Sequence, residues 1–472
     1  MAPHVLIFPL PLQGPVNCML KLAELLCISG ISVTVLNTNH IQRMLLRHTN
    51  VLTRFGRYLN FRFETISDGL PDDHPRTGDR VLELFEGLKA VTEPVFREMM
   101  VSGCFSSKSD APVTVIIPDG VYPFVLDVAE EVKIPVIYFE TISPCALWTY
   151  LCLPNMVAAG EVPFKSNDLD VMIKSVPGTV NFLRRRDLPS FFRFDDLADI
   201  QTQIVLKEAR SVPRAYGLIL NTFQALDASI LVHMQTLCPN TYCIGPIHKL
   251  YKSHLTSESI LLSNVSNSLW EENITCFSWL DSQVPRSVVY VSIGSMAGMT
   301  VDQFFEFWHG LVNSGKHFLW VQRPCSILGE YDDNQVPRRL VEETKKRGFI
   351  TTWVPQEAVL AHSAIGVFLT HSGWNSTLES IMEGVPMICW PQNVDQQVNS
   401  RFVSDVWKIG IDIKDTCDRL TIEKAVKDVM DVKRSELIES LRMFVELGGQ
   451  SVTEDGSSIM DFNRLIKTIK SL

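Results

Sequence analysis

Short runs of β-branched and other apolar residues recur along this chain, each followed by an amphipathic stretch, and that alternation leaves few folds open. "HVLIF" (His4 to Phe8), "SVTVL" (Ser32 to Leu36), "VTVII" (Val113 to Ile117) and "PVIYF" (Pro135 to Phe139) are too short for helices and too continuously apolar for strands with one wet face. They read as strands of a parallel sheet buried on both sides. Between the first two lies "MLKLAELLCISG", with apolar residues at helical spacing and Gly30 as a C-terminal stop. Strand, helix, strand in that order implies right-handed crossovers and a doubly wound sheet. The pattern starts afresh at "VVYVSIGS" (Val288 to Ser295) and continues through "HFLWVQ", "IGVFLTH" and "MICWP". A chain of 472 residues is too long for one core. The expectation is an α/β protein of two Rossmann-like doubly wound domains.

"CIGPI" (Cys243 to Ile247) closes the first run, and the polar "YKSHLTSESILLSNVSNS" follows as a surface linker. The chain thus divides into a first domain over 1–246, a linker over 247–275 and a second domain over 276–472. Ligands of such sheets bind beyond the carboxyl ends of the strands, so facing domains would share a cleft.

A net charge of -10 provides no basic field for a nucleic acid. Residues Met1 to Leu12 lack a basic start, and Pro9 and Pro11 interrupt their apolar run, so neither a signal peptide nor a membrane span is expected. A cytoplasmic monomer is the expectation, its 11 cysteines reduced because they form no CxxC pair or metal spacing. The sequons at Asn264 and Asn273 are then chance matches. The arginines of "LRRRDLP" and "RHTNVLTRFGRY" read as solvated surface, and His362 as a packed histidine.

The segment from Trp353 to Gln396, "WVPQEAVLAHSAIGVFLTHSGWNSTLESIMEGVPMICWPQNVDQ", carries the chemistry. "FLTHSGWNSTLES" is a strand ending at a histidine, a tight turn, and a helix whose first turn offers Asn375, Ser376 and Thr377. Free N–H groups at a helix start bind anions, phosphate above all. Glu379 lies one turn further in, Trp353 offers a flat face for a base, and Asp395 with Gln396 sits on a loop as a pair for vicinal hydroxyls. Together they fit a nucleotide sugar.

That segment closely resembles the signature box of plant secondary-product glycosyltransferases, the UDP-sugar-dependent family with the GT-B fold. "FSWLDSQVPRSVVYVSIGS", "DLPSFF", "DVAEEVKIPVIYFET" and the opening "HVLIFPLPLQG" extend the resemblance along the chain. It implies that Trp353 stacks on uracil, the Val354 backbone pairs with its edge, and Gln356 and Glu379 hold the ribose. It implies also that Ser295, His371, Asn375 and Ser376 surround the diphosphate while Trp374, Asp395 and Gln396 read the sugar. In the family, a tryptophan at the place of Trp374 and a glutamine ending the box go with glucose. UDP-glucose is then the co-substrate, with no metal and no cofactor, since His371 and the helix start stabilise the leaving group. The last helix is expected to pack back on the first domain. "ETISPCALWTYLCLPNM" and "DGLPDDHPRTGDR" look most like the iridoid and monoterpenoid branch, including transferases of 7-deoxyloganetic acid. The acceptor implied is a small, largely apolar terpenoid or phenolic, with a hydroxyl or carboxyl group.

One position departs from the family. Its opening ends "QGH", where the histidine is the general base oriented by an aspartate further on. Here the aspartate is Asp119 in "IIPDG", but the histidine position is Pro15. Proline suits the first position of a helix, so the fold tolerates it. Three readings follow: a working inverting transferase whose acceptor needs little deprotonation, with Asp119 as residual base; a silent paralogue that only binds; or a chance variant of an ordinary enzyme. Among substitutes, His4 and His40 are badly placed and His74 alone could approach an acceptor.

Overall fold

Each apolar run becomes a strand because a parallel ladder hides its backbone while both faces are packed. The computed structural model describes residues 3–105, 112–179, 181–193, 198, 200–255, 267–324, 326–329 and 336–472. The first half contributes β1 (His4–Phe8), β2 (Ser32–Thr38), β3 (Phe61–Ile66), β4 (Val115–Pro118), β5 (Ile137–Glu140), β6 (Gly217–Leu220) and β7 (Thr241–Cys243). They lie in the order β3-β2-β1-β4 and β5-β6-β7, all parallel. Bridges Ile116 to Val136 and Asp119 to Phe139 stitch β4 to β5 into one continuous sheet. The second half contributes β8 (Val288–Ser292), β9 (Met299–Thr300), β10 (His317–Val321), β11 (Ile327–Leu328), β12 (Gly348–Thr351), β13 (Ile365–Thr370), β14 (Met387–Cys389) and β15 (Gly410–Asp412). Six of these form the sheet β12-β10-β8-β13-β14-β15, and β11 pairs with β9.

Local chemistry explains the departures from the sequence reading. β4 and β5 begin two residues later than their apolar runs; Pro135 has no N–H to give a ladder. The helix after β1 spans Gln13–Ile28, so Pro15 is its third residue, not its first. That site still lies in the turn whose N–H groups have no intrahelical partner. Gly30 stops the helix at φ +77°, a conformation that favours glycine.

The supposed linker begins as a helix, Ile247–His254, with Ile247, His248, Leu250 and Tyr251 buried. It packs on the helix Gln13–Ile28. Asn264 falls outside the described residues. Asn273 is engaged: its amide donates to Thr351 Oγ1 at 3.0 Å and its carbonyl accepts the Thr275 hydroxyl at 2.7 Å.

Neither basic run is a simple solvated surface. Arg54 is buried and pairs with the buried Glu24, which also binds Arg57 and accepts the Tyr251 hydroxyl. In "LRRRDLP" the fully buried Asp187 gathers Arg184, Lys414 at 2.7 Å and Arg401 at 3.5 Å, while Arg186 bridges Asp170 and Asp415. Apart from Arg184 with Asp187, the partners lie well away in sequence, which is why composition misread these runs.

The helix Ser457–Ser471 lies against β7. Phe462, Leu465 and Ile469 share a core with Val5, Ile7 and Tyr242, and Asp461 accepts the N–H of Cys243 at 2.8 Å. Among the described residues no helix is long and apolar enough to cross a membrane, and every described cysteine is unpaired. Asp461→Ala should leave the buried N–H of Cys243 without an acceptor. It should cost about 1–3 kcal/mol, read as a lower urea midpoint at unchanged slope.

Candidate active site

A cavity of about 520 Å³ opens where strands of both halves end. One wall is Leu10, Leu12, Pro15, Thr141 and Ile142, from the segments after β1 and β5. The other wall holds Ser295, Trp353, Val354, Gln356, His371, Trp374, Asn375, Ser376, Glu379, Asp395 and Gln396. Every box residue given a donor role by the sequence therefore meets the same space.

Its floor is a strand-to-helix turn. After β13 come His371, Ser372 at φ +65°, the N-cap Gly373 and the helix Trp374–Met382. Thr377 donates its N–H to Gly373 at 2.9 Å, and helix geometry leaves those of Trp374, Asn375 and Ser376 without intrahelical acceptors. His371 fits between two glycines. A methyl group on Gly294 or Gly373 would approach its Nε2 to 2.3 or 2.5 Å. Its Nδ1 is buried without a partner among the described residues. Burial, reinforced by Arg323, lowers the imidazole to about 4, so it is neutral near pH 7.

Two side chains at this helix start join the halves. The Trp374 indole N–H donates to the Asn221 carbonyl at 2.8 Å. Asn375 accepts from Asn221 Nδ2 at 3.0 Å and donates to the Gly14 carbonyl at 3.1 Å. Trp353 has one face against Trp270, ring centroids 4.7 Å apart. The Gln356 amide donates to Ser376 Oγ at 2.9 Å and Glu379 Oε2 at 2.8 Å, while its oxygen accepts the Tyr290 hydroxyl. Glu379 is raised to about 7, by burial first and then by Glu357.

Asp395 and Gln396 are not on a free loop: Asp395 is the N-cap residue of the helix Gln396–Arg401. Gln396 accepts the N–H groups of Gln392 and Asn393, and Asp395 accepts from Asn399 at 2.7 Å. Burial lifts Asp395 to about 6. The preceding Val394 has φ +58°, a strained conformation for a β-branched residue at a ligand site.

Asp119 is the exception among the expected residues. It follows β4 but is 3% exposed and stands behind the wall, with Oδ2 accepting the Thr141 hydroxyl at 2.8 Å and Oδ1 the Val121 N–H. Burial lifts it to about 6. Pro15 lies close: its carbonyl accepts the Cys18 thiol, and Cys18 sits in the field of Asp119. No substitute histidine reaches the cavity. His4 bonds Thr34 inside the sheet, His74 is buried against Glu83, and His40 does not line the cavity. His362 bonds Asp281 and lies tilted against Phe277, ring centroids 6.2 Å apart, and does not line the cavity. Sequence reasoning missed Thr141, Asn221 and Trp270. Only Thr141 gave a signal, as the residue just beyond the carboxyl end of a parallel strand. Among the described residues no three His, Cys, Asp or Glu side chains gather as a metal site.

Such a cleft, closed from both sides by strand ends, is that of a GT-B glycosyltransferase. Residues 267–440 match the UDP-glucoronosyl and UDP-glucosyl transferase family, and the chain belongs to that family. It is 51% identical over 473 residues to a 7-deoxyloganetic acid glucosyltransferase of Catharanthus roseus, covering 100% of this chain and 98% of that one. It is 41% identical to a myricetin 3-O-rhamnoside 1,2-glucosyltransferase of Crocosmia x crocosmiiflora, over 99% and 96% of the two chains. The structure of Os79 from O. sativa in complex with UDP superposes with a TM-score of 0.79 at 27% identity, covering 98% of this chain and 100% of that one. The chain is thus an enzyme, a UDP-glucosyltransferase.

The lowered His371 yields a direct check. Between pH 5.5 and 8 its ring resonances should not titrate by NMR. Its contribution to stability should be present above about 6.5 and lost as pH falls toward about 4, because the unfolded chain takes up the proton first.

Proposed function

We propose that this glucosyltransferase transfers glucose from UDP-glucose, with inversion, to a small, largely apolar plant metabolite of the iridoid, terpenoid or phenolic kind. The convergence of the whole box on one cavity carries the reading. Uracil lies on the open face of Trp353, with Trp270 backing the other face, and the Val354 backbone meets its edge. Glu379 accepts from the ribose, held in place by Gln356. Ser295, His371, Ser376 and the N–H groups of Trp374 and Asn375 receive the diphosphate. The Trp374 ring shapes the sugar site, since its N–H is already donated. Asp395 and Gln396 face the glucose hydroxyls. No metal or cofactor takes part: fixed N–H dipoles in a dry cleft stabilise the charge that develops on UDP.

In the transfer step the acceptor oxygen bonds the anomeric carbon from the face opposite the diphosphate as the carbon–oxygen bond to UDP breaks. A positioned general base contributes about 10²- to 10⁴-fold, or about 3–5 kcal/mol of barrier. With Pro15 on the wall, an acceptor that is already ionised or acidic has the advantage. The Catharanthus roseus relative is named for an acid, and a carboxylic acid, acidic phenol or hemiacetal is the acceptor favoured here. The silent-paralogue reading has no observation in its favour. A cytoplasmic monomer fits the net charge of -10 and the unpaired cysteines.

Trp353→Ala and His371→Ala should each weaken UDP-glucose binding in calorimetry while the melting curve stays cooperative; unchanged affinity in both would refute the donor assignments. Pro15→His should raise the rate with an alcohol by about 10²-fold. With a matched carboxylate, which has no proton to lose, the rate should hardly change. Ratios near one for both acceptors would show that residue 15 does not occupy the base position.

A further inference from the structure

The wall formed by the segments after β1 and β5 is mostly apolar. Leu10, Leu12, Pro15 and Ile142 have no side-chain proton acceptor, and Gln13 is tied to the backbone of Asn267 and Leu269. Thr141 is different. The residue lines the cavity, and its hydroxyl donates at 2.8 Å to Asp119, which does not line it. A hydroxyl that donates its single hydrogen keeps two lone pairs as acceptors. Thr141 therefore connects the space where an acceptor sits to a buried carboxylate it could not otherwise reach.

We propose that Thr141 relays the acceptor's proton to Asp119, so that a threonine–aspartate pair replaces the absent histidine; this rests on the glucosyltransferase reading above. The acceptor O–H gives its proton to Thr141 Oγ while the Thr141 hydrogen passes to Asp119 Oδ2. The freed oxygen bonds the anomeric carbon, and the bonding pair to the diphosphate leaves with UDP. Thr141 ends as it began, and Asp119 ends as a neutral acid that releases its proton after products depart.

The surroundings favour Asp119 as the sink. Among the described residues, Cys18, Tyr122, Glu140 and Glu208 feel its charge, and the cation Lys21 acts on Cys18 as well. Burial, followed by the charge of Asp119, raises Glu208 to about 8, burial likewise raises Glu140 above the usual carboxylate range, and burial raises Cys18 to about 12. Asp119, lifted by burial to about 6, is more basic than a solvated aspartate and still ionises below neutral pH.

The test measures kcat at saturating UDP-glucose for the full chain and for Thr141→Val, Thr141→Ser and Asp119→Asn. Each is assayed with an aliphatic alcohol and with the carboxylate of the same carbon frame. Thr141→Val and Asp119→Asn should each lower kcat for the alcohol by about 10²-fold. The carboxylate rate should change little, Thr141→Ser should restore most of the loss, and UDP affinity should hold. In a Pro15→His background, Thr141→Val should cost little, because the imidazole takes the proton directly. Equal losses with both acceptors would make Thr141 a sugar- or acceptor-positioning group and overturn the relay, as would a Thr141→Val variant with parental alcohol turnover. If the parent transferred glucose to neither acceptor, the transferase reading would fall together with the relay.

Discussion

Asn221 is the interaction on which the arrangement turns. It lies just beyond β6, in the first half, and touches the second half through two groups, its carbonyl accepting from Trp374 and its amide donating to Asn375, while its side-chain oxygen receives the N–H of Ile247 at the start of the connecting helix. Asn375 carries the chain of bonds on to Gly14, at the start of the helix that bears Pro15. The anion-binding helix start is thereby fixed against the acceptor wall by uncharged, directional bonds. Charged links between the halves stand beside these bonds, in Lys21 with Glu357 at 2.6 Å, both lining the cavity, and in the cluster around Asp187. Near a diphosphate this division is sensible, since neutral amides position without competing for the anion's charge.

The site was legible where its residues are neighbours in sequence. The turn after β13 places a histidine, a glycine and a helix start within a few residues, and local geometry alone makes that an anion site. Strands with both faces buried were legible for the same reason, their character being continuous over a few residues. β3, with Arg62 and Glu64 on an edge of the sheet, lacks that continuity and escaped notice, as did β12 and β15 at the edges of the second sheet. Long-range pairing hid the rest. Nothing near Arg54 in sequence announces Glu24, and nothing near Asp187 announces Lys414. Asn221 likewise means nothing until β6 is brought beside the box.

Pro15 shows how a fold can absorb a chemical loss without a structural trace. The third helix position needs no N–H, the wall stays apolar, and Asp119 keeps its hydrogen bonds through Thr141 and Val121. Under the proposed reading the change bears on the barrier to transfer, to a degree set by how acidic the acceptor is. On that reading such a centre discriminates by proton affinity as well as by shape, and an apolar pocket that admits both an alcohol and an acid would favour the acid.

The helix over residues 457–471 has a consequence for biosynthesis. It covers β7, the edge strand of the first sheet, and its Phe462, Leu465 and Ile469 complete a core begun by Val5 and Ile7. These residues leave the ribosome after both sheets have been made. The first sheet must therefore wait, with an uncovered edge and an open apolar face, while the second is translated. Throughout that interval the edge strand β7 lacks the helix that covers it in the finished fold, so the covering of the first sheet is the last step that translation permits.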